Sequence, residues 1–291
     1  MRPAERQGFP LVARLSLRYA GTYAALMILG GLFLIPLLWM LSVSLQDAQS
    51  MFALPFRWIP PGRPRWENYS AALSAVPFGR YLLNTSVITA SVLGFTLLSC
   101  TLVAYGFSRV RFPGRDFLFA LCVSTMMLPG QVTMIPLYMA YARLGWVDTY
   151  LPLIVPSVFG SPFYIFLLRQ FFLTIPREYD EAALLDGAGR LRIYWSIVLP
   201  QARPAIATVA LFCFIGTWND FFGPLIYLNS PEKATLTLGL NMLKSQVIGS
   251  GSVQWHILMA ASVLVMLPNI LVFFLAQKQF IRGIKIGGLR G

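Results

Sequence analysis

Six long stretches of the chain carry no charged side chain, and this feature restricts the fold more than any other. A helix needs about 20 mostly apolar residues to cross a hydrocarbon core of about 30 Å. Asp, Glu, Lys and Arg are missing from 19–46, 81–108, 117–142, 149–168, 204–219 and 245–277. The uncharged run 221–231 extends the short fifth stretch beyond Asp220. We therefore predict transmembrane helices near 20–45, 82–107, 117–141, 150–171, 204–228 and 256–277.

The composition is typical of an integral membrane protein. Of 291 residues, 57% are hydrophobic and only 12% are charged, whereas soluble domains carry roughly 25% charged residues. The apolar runs are continuous, while the strands of a membrane barrel alternate with a period of two. The sequence therefore predicts an all-α membrane protein.

The distribution of Lys and Arg predicts the orientation. If the N-terminus is cytoplasmic, 16 of the 23 Lys and Arg residues lie inside and 7 lie outside, which agrees with the positive-inside rule. Both termini are then cytoplasmic. This gives an N-terminal segment 1–19, a six-helix membrane domain 20–277 and a tail 278–291. Topology also accounts for the net charge of +12, so nucleic acid is not an expected partner.

The residue types that carry enzymatic or metal chemistry are scarce. The chain has one histidine, His256, and three cysteines without a CxxC pair. A GxxxxGK[ST] phosphate loop is also missing from the sequence. We predict no catalytic residue, no metal site and no bound cofactor, so any energy from ATP has to come from a partner.

The inside loop at 172–203 has the pattern of a short helical hairpin. Acidic residues occupy the first turn of its first helix, where the helix dipole favours them, and Gly187 is a natural stop. Leu184, Leu185 and Ile193 are expected to pack beneath the hairpin. Small residues at Ala182, Ala183 and Gly187 let another protein approach the backbone closely. A helix resting on lipid is the alternative, but anionic headgroups would repel its acidic side chains.

The motif in this loop resembles that of a known family. Glu181-Ala182-Ala183, three residues, Gly187, nine residues and Ile197-Val198-Leu199-Pro200 are similar to the EAA loop of ABC importer permeases. The longer run EAALLDGAGRLRIYWSIVLPQARP resembles the carbohydrate-uptake branch, the maltose-transporter inner-membrane subunit type. MMLPGQVTMIPLY at 126–138, TWNDFFGPL at 217–225 and the ending QKQFIRGIKIGGLRG support the resemblance.

The resemblance implies a type I ABC importer permease fold in a multi-pass protein of a bacterial or archaeal plasma membrane. Such a permease pairs with a second, homologous permease, a dimer of cytoplasmic ATPases that binds ATP and Mg, and an extracellular solute-binding protein. The solute it implies is a di- or oligosaccharide. Within the loop, it assigns coupling to the ATPase to Glu181, Ala182, Ala183, Asp186, Gly187, Ile197, Leu199 and Pro200.

Four polar or aromatic residues inside predicted spans are candidates for the translocation pathway. Asp220 is the one acid with apolar sequence on both sides, and acids at membrane depth face protein or water. Asn219 and Asp220 are candidates to bind sugar hydroxyls, and Trp218 to stack on a sugar ring. Pairing of Asp220 with backbone N–H groups freed at a helix break is the alternative. Gln131, between two prolines, is a further candidate for a polar cavity, with irregular packing as its alternative.

Other functions remain open at this stage. The same type of importer serves glycerol phosphate, polyols and other small polar solutes, although a phosphate would call for Arg or Lys in the pathway. A stand-alone secondary transporter would need ionisable residues near the midplane, where Asp220 is the single candidate. A membrane enzyme is disfavoured by the single histidine.

Overall fold

The structure, a computed structural model, describes residues 11–48, 58–60, 63–249 and 254–288. Within these residues helices are the regular elements, in agreement with the all-α prediction. They are α1 Leu11–Ser44, α2 Glu67–Ala75, α3 Phe78–Arg109, α4 Arg115–Ser124, α5 Gly130–Arg143, α6 Leu151–Ile154, α7 Pro162–Thr174, α8 Glu178–Leu185, α9 Arg190–Ile193, α10 Leu199–Gln201, α11 Arg203–Trp218, α12 Phe222–Tyr227, α13 Leu236–Gly249 and α14 Trp255–Gly288.

Four helical segments of the described chain are long and apolar enough to cross a membrane by themselves. They are Tyr19–Ser44, Phe78–Arg109, Leu151–Thr174 and Trp255–Gln277. Two bent pairs bring the number to six if each pair is one span: Arg115–Met127 with Gly130–Arg143, bent by 96°, and Arg190–Gln201 with Arg203–Trp218, bent by 79°. The predicted spans 20–45, 82–107, 150–171 and 256–277 correspond to the four segments, and 117–141 corresponds to the first bent pair. The predicted span 204–228 corresponds in its first part to Arg203–Trp218, the second arm of the other pair.

The third predicted span, 117–141, is broken where Pro129 enters the chain. Leu128 is extended, with φ −80° and ψ 116°, as expected of a residue that precedes proline. Proline also has no N–H to continue the helical hydrogen bonds. The prediction of one continuous helix here was wrong, because periodicity and hydrophobicity do not reveal a break of this size.

The fifth predicted span, 204–228, ends earlier than expected. Helix α11 stops at Trp218, and α12 begins only at Phe222. The carboxylate of Asp220 accepts a hydrogen bond from the N–H of Gly223 at 3.1 Å, so it satisfies a backbone group at the start of α12. The local break that the sequence suggested near Asp220 is therefore present.

Two clusters of buried side chains form the interior, and α3 contributes to both. The α13-side cluster consists of Ala72, Val76, Tyr81, Trp218, Ala234, Leu236, Leu238, Leu243, Leu258, Ala260, Ala261 and Val265. The α8-side cluster consists of Cys100, Ala104, Tyr105, Ile165, Leu168, Phe172, Ile175, Ile193, Tyr194, Val198, Ala202, Ala205 and Val209. Helix α3 packs on α7 and α11, and α14 packs on α1 and α11.

Polar contacts tie the connections at the α13 end of the molecule. Asn84 of α3 donates to the carbonyls of Glu232 and Ala234, both at 2.9 Å, and these carbonyls precede α13. A loop residue, Asp148, accepts hydrogen bonds from the backbone of the 229–233 segment and pairs with Lys233 at 2.9 Å. The hydroxyl and N–H of Ser230, more than Lys233, hold the pKa of the Asp148 carboxyl well below its usual range.

Gly239 provides a test of how tightly α13 packs on α3. A Cβ at this position would overlap the ring of Tyr81, which is only 3% exposed. Overpacking of this kind costs about 1–3 kcal/mol, so we expect Gly239→Ala to lower the melting temperature of the purified protein. Gly106→Ala on α3 is the matched control, since nothing lies within 4 Å of its Cβ. Equal melting temperatures for the two variants would show that α13 does not pack this closely.

Candidate coupling site and translocation route

Helix α8 of the 172–203 loop has well-defined ends. Its first turn carries Glu178, Asp180 and Glu181. Their negative charges stabilise the helix because they lie near the positive end of its dipole. At its other end the N–H of Gly187 donates to the carbonyl of Leu184 at 3.0 Å, and the N–H of Ala188 donates to the carbonyl of Ala183 at 2.9 Å. Gly187 has a φ of +79°, which glycine adopts without strain. The predicted stop at Gly187 is confirmed.

The second arm of the loop is anchored in the α8-side cluster. Ile193, Tyr194 and Val198 are at most 2% exposed. The hydroxyl of Tyr194 shares a hydrogen bond with Thr101 of α3 at 2.7 Å. The hydroxyl of Tyr105, also on α3, donates to the carbonyl of Arg190 at 3.0 Å. The loop is thus fixed to the membrane helices.

Arg109, the last residue of α3, connects three elements. Its guanidinium donates to the carbonyls of Phe172 and Ile175 at the end of α7, at 2.5 and 2.7 Å. It also pairs with Asp180 of α8 at 3.1 Å, and its side chain is only 3% exposed. A planar group with five N–H donors suits this geometry, and lysine could not reproduce it. Arg109 therefore holds the base of α8 against α3 and α7.

The sequence analysis missed this role of Arg109 and counted it only as an inside charge. A partial signal existed. The residue closes the second span, and Asp180 is one of several acids in a loop that follows another span. A guanidinium at the end of an apolar helix needs hydrogen-bond acceptors, but the sequence alone does not identify them.

The predicted coupling residues divide into two groups. Glu181, Ala182, Asp186, Gly187 and Pro200 are exposed. Ala183, Ile197 and Leu199 are partly buried against the α8-side cluster. All eight lie in one loop, but only the exposed group is open to a partner from outside.

The exposed apolar residues of α8 overturn one expectation. Leu185 is 90% exposed and Leu184 is 54% exposed, whereas Ile193 is 2% exposed. Of the three residues expected to pack beneath the hairpin, only Ile193 does so. The reason is the helical turn. Ala183 packs inward, and a residue two positions later is rotated by about 200°, so Leu185 points away from the rest of the chain.

Trp218 is built into the protein interior. It is 5% exposed, its indole N–H donates to the carbonyl of Val265 at 3.2 Å, and its ring stacks on Phe214 with centroids 5.3 Å apart. No face of the ring is free for a solute. The structure therefore contradicts the predicted stacking of Trp218 on a sugar.

Asp220 is engaged by backbone groups. Besides the bond from Gly223, its own carbonyl accepts from the hydroxyl of Thr237 at 2.6 Å. A Cβ at position 223 would overlap the Asp220 carboxylate, which shows how closely the two segments approach. Of the two interpretations left open by the sequence, this geometry matches pairing with freed backbone N–H groups.

Asn219 differs from its neighbours because its side chain is exposed. It pairs with Asn269 of α14, which donates to the Asn219 amide oxygen at 3.0 Å. The sequence analysis missed Asn269, although a lone carboxamide after Pro268 in an apolar span was a signal. Gln131 is exposed in the first turn of α5. Among the described residues no hydrogen bond joins it to Asn219 or Asp220.

Among the residues that the structure describes, no three His, Cys, Asp or Glu side chains are grouped to hold a metal ion. What the geometry provides is an exposed short helix with a fixed base, and a pair of carboxamides between two membrane-spanning helices.

Comparison with known proteins supplies the context. Residues 98–286 match the family described as binding-protein-dependent transport system inner membrane component. A probable ABC transporter permease protein of Bacillus subtilis, YurM, is 33% identical over 88% of this chain and 83% of its own length. The diacetylchitobiose uptake permease NgcG of Streptomyces coelicolor is 32% identical over 94% of this chain and 90% of its own.

Two further similarities concern another solute and the fold. The sn-glycerol-3-phosphate transport permease UgpE of Pectobacterium atrosepticum is 35% identical over 82% of this chain and 85% of its own. Among solved structures, a chain of a bacterial ABC transporter involved in the import of the acidic polysaccharide alginate superimposes with a TM-score of 0.78. The two sequences are 24% identical, and the superposition covers 94% of this chain and 99% of the alginate transporter chain. The predicted importer-permease fold is confirmed.

The role of Arg109 can be tested by replacing it. Arg109→Gln should leave Asp180 and the Ile175 carbonyl without their donor and remove one of two donors to the Phe172 carbonyl, and breaking a buried ion pair costs about 3–5 kcal/mol. We expect a lower melting temperature and faster chymotrypsin cleavage within α8. Arg192→Gln is the control, because Arg192 is exposed. If both variants melt and cleave like the parent protein, Arg109 does not hold the loop.

Proposed function

The chain belongs to the family of inner membrane components of binding-protein-dependent transport systems, and from this premise we propose how it couples transport to ATP. It is a permease subunit of an ABC importer, placed in the plasma membrane as a multi-pass protein. In our proposal α8 seats in a cytoplasmic ATPase, and a second, homologous permease completes the pathway. The imported solute is a di- or oligosaccharide delivered by an extracellular binding protein.

One observation carries the coupling proposal: α8 is fixed at its base and open at its tip. Arg109 joins α8 to the ends of α3 and α7, while Leu185 is 90% exposed. Burial of this leucine side chain against a partner would contribute favourable free energy, because apolar surface would be removed from water. Any displacement of α8 by that partner is passed to α3 and α7 through the same guanidinium. The arrangement suits a lever between an ATPase and the membrane helices.

The mechanism that follows is alternating access. ATP, with Mg, is bound and hydrolysed on the partner ATPase, and its closure moves α8 together with the helices to which it is tied. The pathway then opens to the outside, receives solute from the binding protein and returns after hydrolysis. Such coupling is a difference in affinity between two states, transmitted through one rigid contact. It requires α8 on the cytoplasmic side, as the Lys and Arg distribution predicts.

The polar side chains at the contact of α11 and α14 suit a sugar as the solute. The Asn219 and Asn269 carboxamides offer both donors and acceptors, and neither carries charge. Polar side chains at this depth face other protein or water, so a neutral, hydroxyl-rich solute is a suitable partner for the pair. One relative is named for diacetylchitobiose uptake, which is a sugar of this kind.

Glycerol phosphate is a second candidate, and one observation favours it. Lys244 of α13 lines a cavity of about 380 Å³ with Phe221, Thr237 and Asn241. A phosphate calls for a basic side chain, and one relative is a glycerol-3-phosphate permease. If this were the solute, Lys244→Gln would abolish its uptake, whereas the uptake of a neutral sugar would not depend on Lys244.

Leu185→Glu tests the docking of α8. The substitution places a charge where we expect an apolar contact with the ATPase, and the residue makes few contacts within the chain. Loss of a well-placed contact at an interface weakens binding about tenfold or more. We therefore expect the tagged chain to retain the second permease but to lose the ATPase on purification. Leu144→Glu, at a residue 60% exposed beyond α5, is the matched control. Retention of the ATPase by both variants would refute the proposal.

The carboxamide pair is tested by uptake into cells that express the complete importer. Asn219→Ala with Asn269→Ala should lower the uptake of labelled diacetylchitobiose about tenfold, because two hydrogen-bonding groups of roughly 1 kcal/mol or less each are removed. Asn229→Ala is the control, since only its backbone N–H is engaged. Normal uptake by an assembled double variant would exclude the pair from the pathway. Uptake of glycerol 3-phosphate alone would favour the second candidate.

A further inference from the structure

Three arginines line an open pocket beside the start of α8. The pocket has a volume of about 510 Å³ and is lined by Arg111, Phe112, Gly114, Arg115, Asp116, Phe117 and Arg177. This volume falls within the range of about 300–1,000 Å³ typical of small-molecule sites. The residues that fix α8 to α3 and α7 do not line this pocket.

The charges in the pocket do not cancel. Its single carboxylate, Asp116, is already paired with Arg115 at 2.9 Å and approached by Arg169 at 3.9 Å. Arg111 and Arg177 are exposed and make no ion pair with any residue that the structure describes. Two guanidiniums therefore remain available, and their planar forks match the oxygens of a phosphate group.

The aromatic side of the pocket is continuous with the exposed apolar surface of α4. Phe117 is 72% exposed in the first turn of α4, and Leu121, one turn further, is 54% exposed. These side chains begin the third span, where an apolar surface faces acyl chains. On the predicted topology the pocket therefore lies at the cytoplasmic end of the third span, with guanidiniums on one side and aromatic rings on the other.

We propose that this pocket binds the headgroup phosphate of an anionic glycerophospholipid. Arg111 and Arg177 contact the phosphate oxygens, and Phe117 contacts the first part of the acyl chains. Basic pockets between membrane helices recognise anionic headgroups in this way. Because Arg177 directly precedes α8, the bound lipid adds a second brace to the base of the coupling helix. Lipid composition then affects how firmly α8 is held, whichever solute is transported.

The test measures lipid binding to the full chain, purified with the subunits that accompany it. After removal of bound lipid, native mass spectrometry follows titration with phosphatidylglycerol or phosphatidylcholine. Each basic residue at a membrane surface strengthens binding of an anionic lipid about fivefold. We expect phosphatidylglycerol to bind at least tenfold more tightly than phosphatidylcholine. Arg111→Gln with Arg177→Gln should remove this preference.

The matched control is Arg80→Gln with Arg143→Gln, which changes the charge equally at exposed arginines distant in sequence from the pocket. Equal affinity for both lipids, or equal loss of preference in the two double variants, would overturn the proposal. Displacement of phosphatidylglycerol by excess inorganic phosphate would identify a soluble phosphate ligand instead. If the pocket variant keeps the lipid preference but loses the ATPase, the arginines belong to a protein interface.

Discussion

The guanidinium of Arg109 fixes the start of α8 to the ends of α3 and α7. Carbonyls at the C-terminal end of a helix have no partner within it, and those of Phe172 and Ile175 at the end of α7 are satisfied by Arg109. The same group reaches Asp180 on the next helix. One side chain thus closes α7, positions α8 and ends α3. It adds to the anchors in the second arm of the loop, and α8 needs such anchors because isolated helices of eight residues are marginal in water.

The bilayer explains the breaks in the third and fifth spans and how they are tolerated. A backbone group freed within a membrane has to find a partner in the protein. At the end of α11 this is done locally, because the Asp220 carboxylate accepts from Gly223 and its carbonyl accepts from Thr237. An acid at this depth is therefore explained by the needs of the backbone. Asn219, one residue earlier, also donates to the carbonyl of Ile215 at 2.8 Å, and its exposed amide oxygen accepts from Asn269 at 3.0 Å.

The sequence predicted those features that depend on local composition. The charge-free stretches located the four long helical segments, the first bent pair and the second arm of the other, and the Glu181 to Gly187 spacing identified the loop and its stop. Features that depend on which side of a helix faces inward were not predictable. Leu185 was expected to be buried, because a single eight-residue helix shows too few turns to define its apolar face. Trp218 was assigned to the pathway by its neighbours in sequence, while its position was decided by packing on Phe214 and a bond to Val265.

The two buried clusters explain how movement at α8 can reach the carboxamide pair. Helix α3 contributes Tyr105 to the α8-side cluster and Tyr81 to the α13-side cluster, about 36 Å apart along an ideal helix. Helix α11 likewise runs from Ala205 in one cluster to Trp218 in the other, directly before Asn219. Close-packed interiors shift between discrete arrangements more readily than they deform continuously. A displacement of α8 that moves α3 and α11 as rods also moves the end of α11, where Asn219 contacts Asn269 of α14 and where we place the solute.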